Sequence, residues 1–273
     1  MINTIVKTSK FPDSQKIARV CLPHIKGDTL LKKNNYRPIS ILTAISKITD
    51  KVLAIQLRFY LENSSILSDC QFGFREKRNT TSDISRLMEQ LYQNFNDGGV
   101  MQGIFLDFSK AFDTNNHEIL ADKLPFYNFL SDACVFFQSY LSNRKQFVKI
   151  NDHNSALREV KIGVPQGSVL GPILFLIYIN DMINSAPMFN YILFADDTNI
   201  FSKDPQLLIE NIKHIGEWCL ANKLVLNYTK TSKSNIQVKS NIQVPNKKIA
   251  NLDNFELELG NQKLEIKQCT KLL

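Results

Sequence analysis

Apolar residues recur at helical spacing in several stretches of the chain. Ile45, Ile48, Val52, Ile55 and Phe59 step by three and four, one stripe of a helix predicted over about 44–61. Ile84, Leu87, Leu91 and Phe95 repeat the pattern after Thr80-Thr81-Ser82-Asp83, where short polar side chains suit an N-cap. Leu208, Ile212, Ile215 and Cys219 form a third stripe entered through Pro205, and Ser131-Asp132 is a candidate cap for a helix carrying Val135, Phe136 and Tyr140. Val169 to Ile183 reads as a further, strongly apolar helix. Between these lie strand patterns. Gly103 to Phe108 is short and apolar, with the turn formers Asp97-Gly98-Gly99 before it. Tyr191 to Phe194 and Thr198 to Phe201 flank an Asp-Asp pair, the outline of a tight hairpin. Phe255 to Leu259 and Lys263 to Lys267 alternate apolar and polar around Gly260-Asn261, a second hairpin. No repeat, low-complexity tract or obvious linker breaks the order, so the pattern predicts one interleaved α+β fold.

Composition narrows the class. The chain has 273 residues, room for one large domain or two small ones, and a hydrophobic fraction of 44% that can fill a core and argues against disorder. Its longest uninterrupted apolar run, Ile173–Ile179, falls far short of the roughly 18 residues a membrane span needs, so no membrane partner is expected. The N-terminus lacks the apolar stretch and cleavage site of a secretory signal. Cys21, Cys70, Cys134, Cys219 and Cys269 are odd in number and scattered, which suits a reducing, intracellular compartment and no zinc site. The net charge of +7 is compatible with a polyanionic partner and equally with simple solubility.

Three carboxylates sit in unusual company. Asp107 follows Ile104-Phe105-Leu106, and Asp196-Asp197 follow Tyr-Ile-Leu-Phe-Ala and precede Thr-Asn-Ile-Phe. A desolvated carboxylate is costly unless paired or bound to a cation, and adjacent ones repel until a cation joins them. Oxygen-only ligands without His or Cys favour Mg²⁺ or Mn²⁺ over zinc. A turn in which one Asp caps backbone amides would give the same sequence. Gly163-Val164-Pro165-Gln166-Gly167-Ser168 adds a rigid elbow, where backbone can approach a ligand, just before the apolar helix.

Together these blocks resemble the reverse transcriptase domain of non-LTR (LINE-type) retrotransposons, most closely the arthropod jockey-like group. Asn35-Tyr36-Arg37-Pro38-Ile39-Ser40 resembles the first fingers motif, and Gln71-Phe72-Gly73-Phe74-Arg75 with Thr80-Thr81 the second. Phe105 to Asp113 is similar to motif A, Gly163 to Pro172 with Phe175 to Asp181 to motif B, and Phe194-Ala195-Asp196-Asp197 to motif C. Trp218 to Thr231 resembles motif D, and Cys269 to Leu273 the first half of the primer-grip motif E. The resemblance runs from about residue 10 to the last residue.

The resemblance implies a right-hand polymerase fold with fingers over 1–98 and palm over 99–273, an antiparallel palm sheet, and a thumb largely absent, as in a truncated fragment. It implies an RNA-directed DNA polymerase that extends a DNA primer on an RNA template with deoxynucleoside triphosphates, within a retrotransposon ribonucleoprotein of cytoplasm and nucleus. Asp107 and Asp196, assisted by Asp197 and the Phe108 carbonyl, would hold two Mg²⁺ ions, for which Mn²⁺ substitutes. Phe112 stands at the position of the steric gate against a ribose 2′-OH; Asp113 is a structural hydrogen-bonding residue outside the catalytic set. Gln166 and Gly167 correspond to residues beside the incoming nucleotide and template base, and Arg37 to a triphosphate grip. Arg75 is a second fingers cation that touches substrate or template, Lys230 a general acid for pyrophosphate, and Arg144 a candidate nucleic-acid contact; a solvated surface charge is the alternative for the last two.

The chain departs from its relatives at Asn115-Asn116, at Ala121 and at Asn128, where Gly is common. A nucleic-acid-binding relic without turnover is the main rival reading. A two-metal nuclease would leave the elbow and fingers blocks unexplained.

Overall fold

The computed structural model describes residues 1–23, 36–78, 81, 85, 86, 89, 101–150, 152–227, 231–236, 258, 259, 262 and 263. In chain order the principal elements are α1 (Ile2–Lys7), β1 (Ile17–Cys21), β2 (Ile39–Ile41), α2 (Ala44–Asn63), β3 (Met101–Leu106), α3 (Ala111–Thr114), α4 (His117–Phe126), α5 (Ser131–Leu141) and β4 (Lys145–Ile150). There follow β5 (His153–Asn154), β6 (Arg158–Glu159), α6 (Leu170–Ile179), β7 (Asn190–Phe194), β8 (Asp197–Ser202), α7 (Pro205–Ala221), β9 (Ser232–Ile236), β10 (Glu258–Leu259) and β11 (Gln262–Lys263). Helices and mainly antiparallel strands confirm the α+β class.

The chain packs as two compact units, each drawn from two stretches: residues 1–67 with 110–179, and 68–109 with 180–273. Motif A is therefore divided between them, Asp107 in the second unit and Phe112 in the first.

In the first unit α6 is the centre. Every residue from Ile173 to Ile179 is at most 1% exposed, as expected of a helix apolar on all sides. It packs against α2, α3 and α4. Helix α2 matches the 44–61 expected, and its N-cap Thr43 accepts the Ser46 N–H at 3.2 Å. Its orientation, however, differs from the stripe read in the sequence. Ile45, Ile48, Ile55 and Phe59 are all exposed, and the inward face carries Ser46, Thr49, Asp50, Leu53, Leu57 and Leu61. The polar members of that face are hydrogen-bonded: Thr49 donates within the helix to the Ile45 carbonyl, the Ser46 hydroxyl donates to the distant Gln15 carbonyl, and Asp50 accepts from the Tyr140 hydroxyl. The unit's sheet runs β2-β1-β4-β5 with β6 on β4. Its β1–β4 pair is parallel, Ile17 opposite Lys145, a pairing across the chain that no local pattern announced.

Two departures from the relatives have structural roles. Asn116 is the N-cap of α4, accepting the N–H groups of Glu118 and Ile119. Asn128, just past that helix, has φ +58, the left-handed conformation for which Gly is the usual solution and Asn a tolerated one.

The second unit contains an antiparallel sheet in the order β7-β8-β3-β9, the antiparallel palm sheet the resemblance implied. Helix α7 begins at Pro205 behind the N-cap Asp204 and buries Leu208, Ile212, Ile215 and Cys219, as the spacing predicted. The apolar helix expected to reach Ile183 stops at Ile179 and continues as a 3-10 turn, Asn180–Ser185. The polar pair Asn180-Asp181 ends the apolar run, and the Asn180 side chain is engaged by the Ser68 N–H at 2.8 Å. Of the second hairpin expected, the described residues show the antiparallel pair β10–β11, Glu258 with Lys263 and Leu259 with Gln262, while Gly260-Asn261 and the rest of its strands lie outside them. The stripe Ile84, Leu87, Leu91 and Phe95, the turn Asp97-Gly98-Gly99 and the motif E segment Cys269 to Leu273 lie outside the described residues. Among the described residues no helix is long and apolar enough to cross a membrane, and Cys21, Cys70, Cys134 and Cys219 are free thiols.

Candidate active site

The carboxylates of the second unit lie at strand ends. Strand β3 pairs with β8 with Leu106 opposite Thr198, so Asp107, one step further, falls level with Asp197, and Asp196 is next toward the turn. Phe194 pairs with Asp197, leaving Ala195-Asp196 as a two-residue turn. Register alone thus brings Asp107 beside the Asp-Asp pair. Their burial is less than the apolar sequence suggested: Asp107 and Asp196 are half-buried and Asp197 is exposed. The strand residues before them are the buried ones, with Ile104 and Leu106 at most 3% exposed. Phe108 is buried and bridged to Leu226.

The turn is supported by the Gln71-Phe72-Gly73 block. Gln71 Oε1 accepts the N–H groups of Ala195 at 2.9 Å and Gly73 at 2.8 Å, and its Nε2 donates to the Ala195 carbonyl. The Phe72 N–H donates to the Leu193 carbonyl and the Leu193 N–H to the Cys70 carbonyl. Gly73 has no room for a side chain, because a Cβ there would stand 2.3 Å from the Ala195 nitrogen. Ala195 itself has φ +57, an uncommon conformation for a residue with a Cβ, held here by these bonds. This supporting role of Gln71 was not read from the sequence; an amide flanked by Cys70 and Phe72 was its only local sign. Arg75 belongs to the same block, where it donates to the Ser68 carbonyl at 2.7 Å.

Among the described residues no three His, Cys, Asp or Glu side chains converge to cage a metal unaided. The carboxylates that strand register sets at neighbouring positions, Asp107 level with Asp197 and one step from Asp196, offer oxygen donors alone. That set fits Mg²⁺, which is commonly held by one or two carboxylates and completes its shell with water and substrate phosphates.

The first unit gathers the other expected residues around the elbow. Gly163 (φ +83) lies so close to Asp113 that a Cβ would be 2.7 Å from its carbonyl oxygen, and Gly167 (φ +117) would meet the Ser40 carbonyl oxygen at 2.4 Å. Both positions therefore require glycine. The Ser40 N–H donates to the Gln166 carbonyl, the Val164 N–H to the Phe112 carbonyl, and His117 Nε2–H to the Gly163 carbonyl at 2.7 Å. The Gln166 side-chain amide donates to Asp113 Oδ1 at 2.7 Å. Burial holds the Asp113 carboxyl above the usual carboxylate range, opposed by that amide and by the charges of Lys110 and Arg37. Asp113 is thus the hydrogen-bonding residue expected, and Arg37, itself exposed, stands within its field. Phe112 is half-buried with its ring 4.7 Å from that of Phe175.

The elbow borders a cavity of about 310 Å³ that Lys16, Arg144, Lys145 and Lys161 also line, against Asp113 and Glu159. Arg144 is no solvated loop residue. It is 2% exposed, its guanidinium stacked 4.5 Å above the Tyr140 ring and donating to the Tyr140 carbonyl. Lys230 lies outside the described residues, as do Asn35 and Thr80.

Residues 26–264 match the family model described as reverse transcriptase (RNA-dependent DNA polymerase). The chain belongs to the reverse transcriptase family. A probable RNA-directed DNA polymerase from transposon BS of Drosophila melanogaster is 31% identical over 84% of this chain and 27% of its own length. The RNA-directed DNA polymerase from mobile element jockey of the same fly is 27% identical over 76% of the chain and 23% of that protein. This reverse transcriptase domain thus spans about a quarter of those two non-LTR relatives. Among solved structures, apo telomerase from Candida tropicalis, truncated from its C-terminal domain, superposes with a TM-score of 0.61 at 12% identity, covering 87% of this chain and 55% of that one. Telomerase from Candida albicans, in complex with a fragment of telomeric RNA, gives a TM-score of 0.59 at 15% identity over 84% of this chain and 44% of that one. At that identity the likeness establishes the right-hand polymerase fold.

Proposed function

We propose that this domain catalyses RNA-directed DNA synthesis, joining a deoxynucleoside triphosphate to a primer 3′-OH on an RNA template. The register that sets Asp107 level with Asp197, at the end of a sheet in a chain of this family, carries the reading. The primer 3′-oxygen attacks the α-phosphorus, a P–O bond forms, and the bond to pyrophosphate breaks. Such a transfer needs positioning and charge neutralisation more than a covalent nucleophile. Asp107, Asp196, Asp197 and the Phe108 carbonyl are the groups that would hold two Mg²⁺ ions, or Mn²⁺, whose chemistry is to acidify the 3′-OH and neutralise the leaving pyrophosphate.

The remaining roles follow from side-chain chemistry. Arg37, exposed and planar, grips the triphosphate. The half-buried ring of Phe112, backed by Phe175, excludes a ribose 2′-OH. Gln166, its amide anchored on Asp113, and Gly167, which requires glycine, shape the bed of the nucleotide and template base. Arg75 braces the fingers motif and touches template, and Lys230 gives a proton to pyrophosphate. Fingers over 1–98 and palm over 99–273 remain the functional division we propose. The cationic lining of the first unit's cavity and the net charge of +7 suit a polynucleotide. The domain would work inside the cell, on RNA template and DNA primer in a retrotransposon ribonucleoprotein.

Primer extension on poly(rA)·oligo(dT) tests this reading. Wild type is expected to extend the primer only with Mg²⁺ or Mn²⁺, and Asp196→Asn to fail. A folded, RNA-binding sample without metal-dependent extension would instead identify a binding relic.

A further inference from the structure

One residue grips Asp107 at two places. The Asn227 main-chain N–H donates to the Asp107 carbonyl at 2.8 Å, and its side-chain Nδ2 donates to Asp107 Oδ2, also at 2.8 Å. Adjacent pairs hold the two segments side by side: Phe108 bridges Leu226, and the Ser109 N–H donates to the Val225 carbonyl at 2.7 Å. Fully buried Thr231 accepts the Asp107 N–H through its hydroxyl at 3.4 Å. The main chain of Asp107 is thereby fixed, and what remains is the rotation of its carboxylate, a broad torsion unless an oxygen is tied.

We propose that Asn227 is a positioning residue for the reaction, tying Oδ2 so that the carboxylate of Asp107 meets the cation in one orientation. The inference rests on the reading of Asp107 as a cation ligand. An amide suits this role because its NH₂ only donates and carries no charge. A lysine there would compete with the cation, and an aspartate would repel the carboxylate it should hold. Because the main-chain bond survives any substitution other than proline, side-chain variants isolate the amide's share.

The experiment titrates Mn²⁺ into the full chain by electron paramagnetic resonance for wild type, Asp107→Asn, Asn227→Ala and Asn227→Leu, the last filling a similar volume should Ala unfold the region. Loss of an outer partner typically weakens metal affinity by about 10- to 100-fold. Both Asn227 variants are expected to bind Mn²⁺ at least about tenfold more weakly, to lose kcat with little change in KM for dTTP, and to recover kcat at high Mn²⁺. Their urea midpoints should stay near that of wild type. Asn227 variants that titrate like wild type, while Asp107→Asn loses the site, overturn the proposal alone. An Asp107→Asn that titrates like wild type overturns both the proposal and the ligand reading beneath it.

Discussion

Gln71 binds Ala195 through both of that residue's main-chain polar groups, accepting its N–H at 2.9 Å and donating to its carbonyl. A motif expected to serve as fingers thus also splints the turn that carries Asp196. Gln71→Ala leaves the buried Ala195 N–H unpaired, which costs about 1–3 kcal/mol, and Gly73→Ala forces a Cβ to within 2.3 Å of backbone and costs more. Urea unfolding should rank the stabilities wild type above Gln71→Ala above Gly73→Ala. Hydrogen exchange at residues 193–197 should rise in both variants. A wild-type exchange pattern in Gly73→Ala would contradict the splint.

Asp50 makes stability depend on pH in the unusual direction. Burial raises its carboxyl to about 6 from 3.8, despite the Arg144 charge and the Tyr140 hydroxyl. The folded state therefore holds the proton more tightly than the unfolded one. The stabilisation is complete below the unfolded pKa and is lost as pH rises through about 6. A rise of that size corresponds to about 3 kcal/mol. The stability of wild type relative to Asp50→Asn should fall by up to that amount between pH 4 and 7, measured by denaturant midpoints. A difference that stays flat across this window would show that Asp50 does not titrate there.

Phe112 has one face against Phe175 and is only half-buried, so its exposed edge can meet a sugar. Phe112→Val removes that edge. Incorporation of ribonucleotides relative to deoxynucleotides, measured as a ratio of kcat/KM, should rise by at least about tenfold. An unchanged ratio would contradict the gate.

Under the proposed function, phosphate contacts made by the chain's cationic side chains would release counterions. Affinity for primed template should accordingly fall about linearly on a log–log plot against salt. A flat dependence between about 50 and 200 mM salt would remove the polyanion argument.

Local signals in the sequence were legible where they act locally. Pro205 marks a helix start that the structure keeps, the stripe at 45–59 lies in the helix expected there, and the apolar stretches around Asp196 are the paired strands expected. The resemblance drew Asp107 and Asp196 from neighbouring palm strands; the register of β3 with β8 sets Asp107 level with Asp197. Orientation and long-range pairing were not legible. The isoleucine stripe of α2 faces out because polar Ser46 and Asp50 find buried partners far along the chain, which periodicity cannot see. The parallel pair of Ile17 with Lys145 depends on a contact far along the chain. Gln71 and Asn227 were missed as supports for the same reason: each acts on main chain or carboxylate more than 100 residues away.

Under the proposed function Asp107 and Asp196 would act together on one phosphoryl transfer. Single-turnover incorporation of one deoxynucleotide into a primed RNA template, with Asp107→Asn and Asp196→Asn beside wild type, measures that joint action directly. Each variant is expected to lose about a thousandfold or more in rate while keeping its Kd for primer and template. A variant that folds, binds primed template and incorporates at the wild-type rate would contradict the assignment.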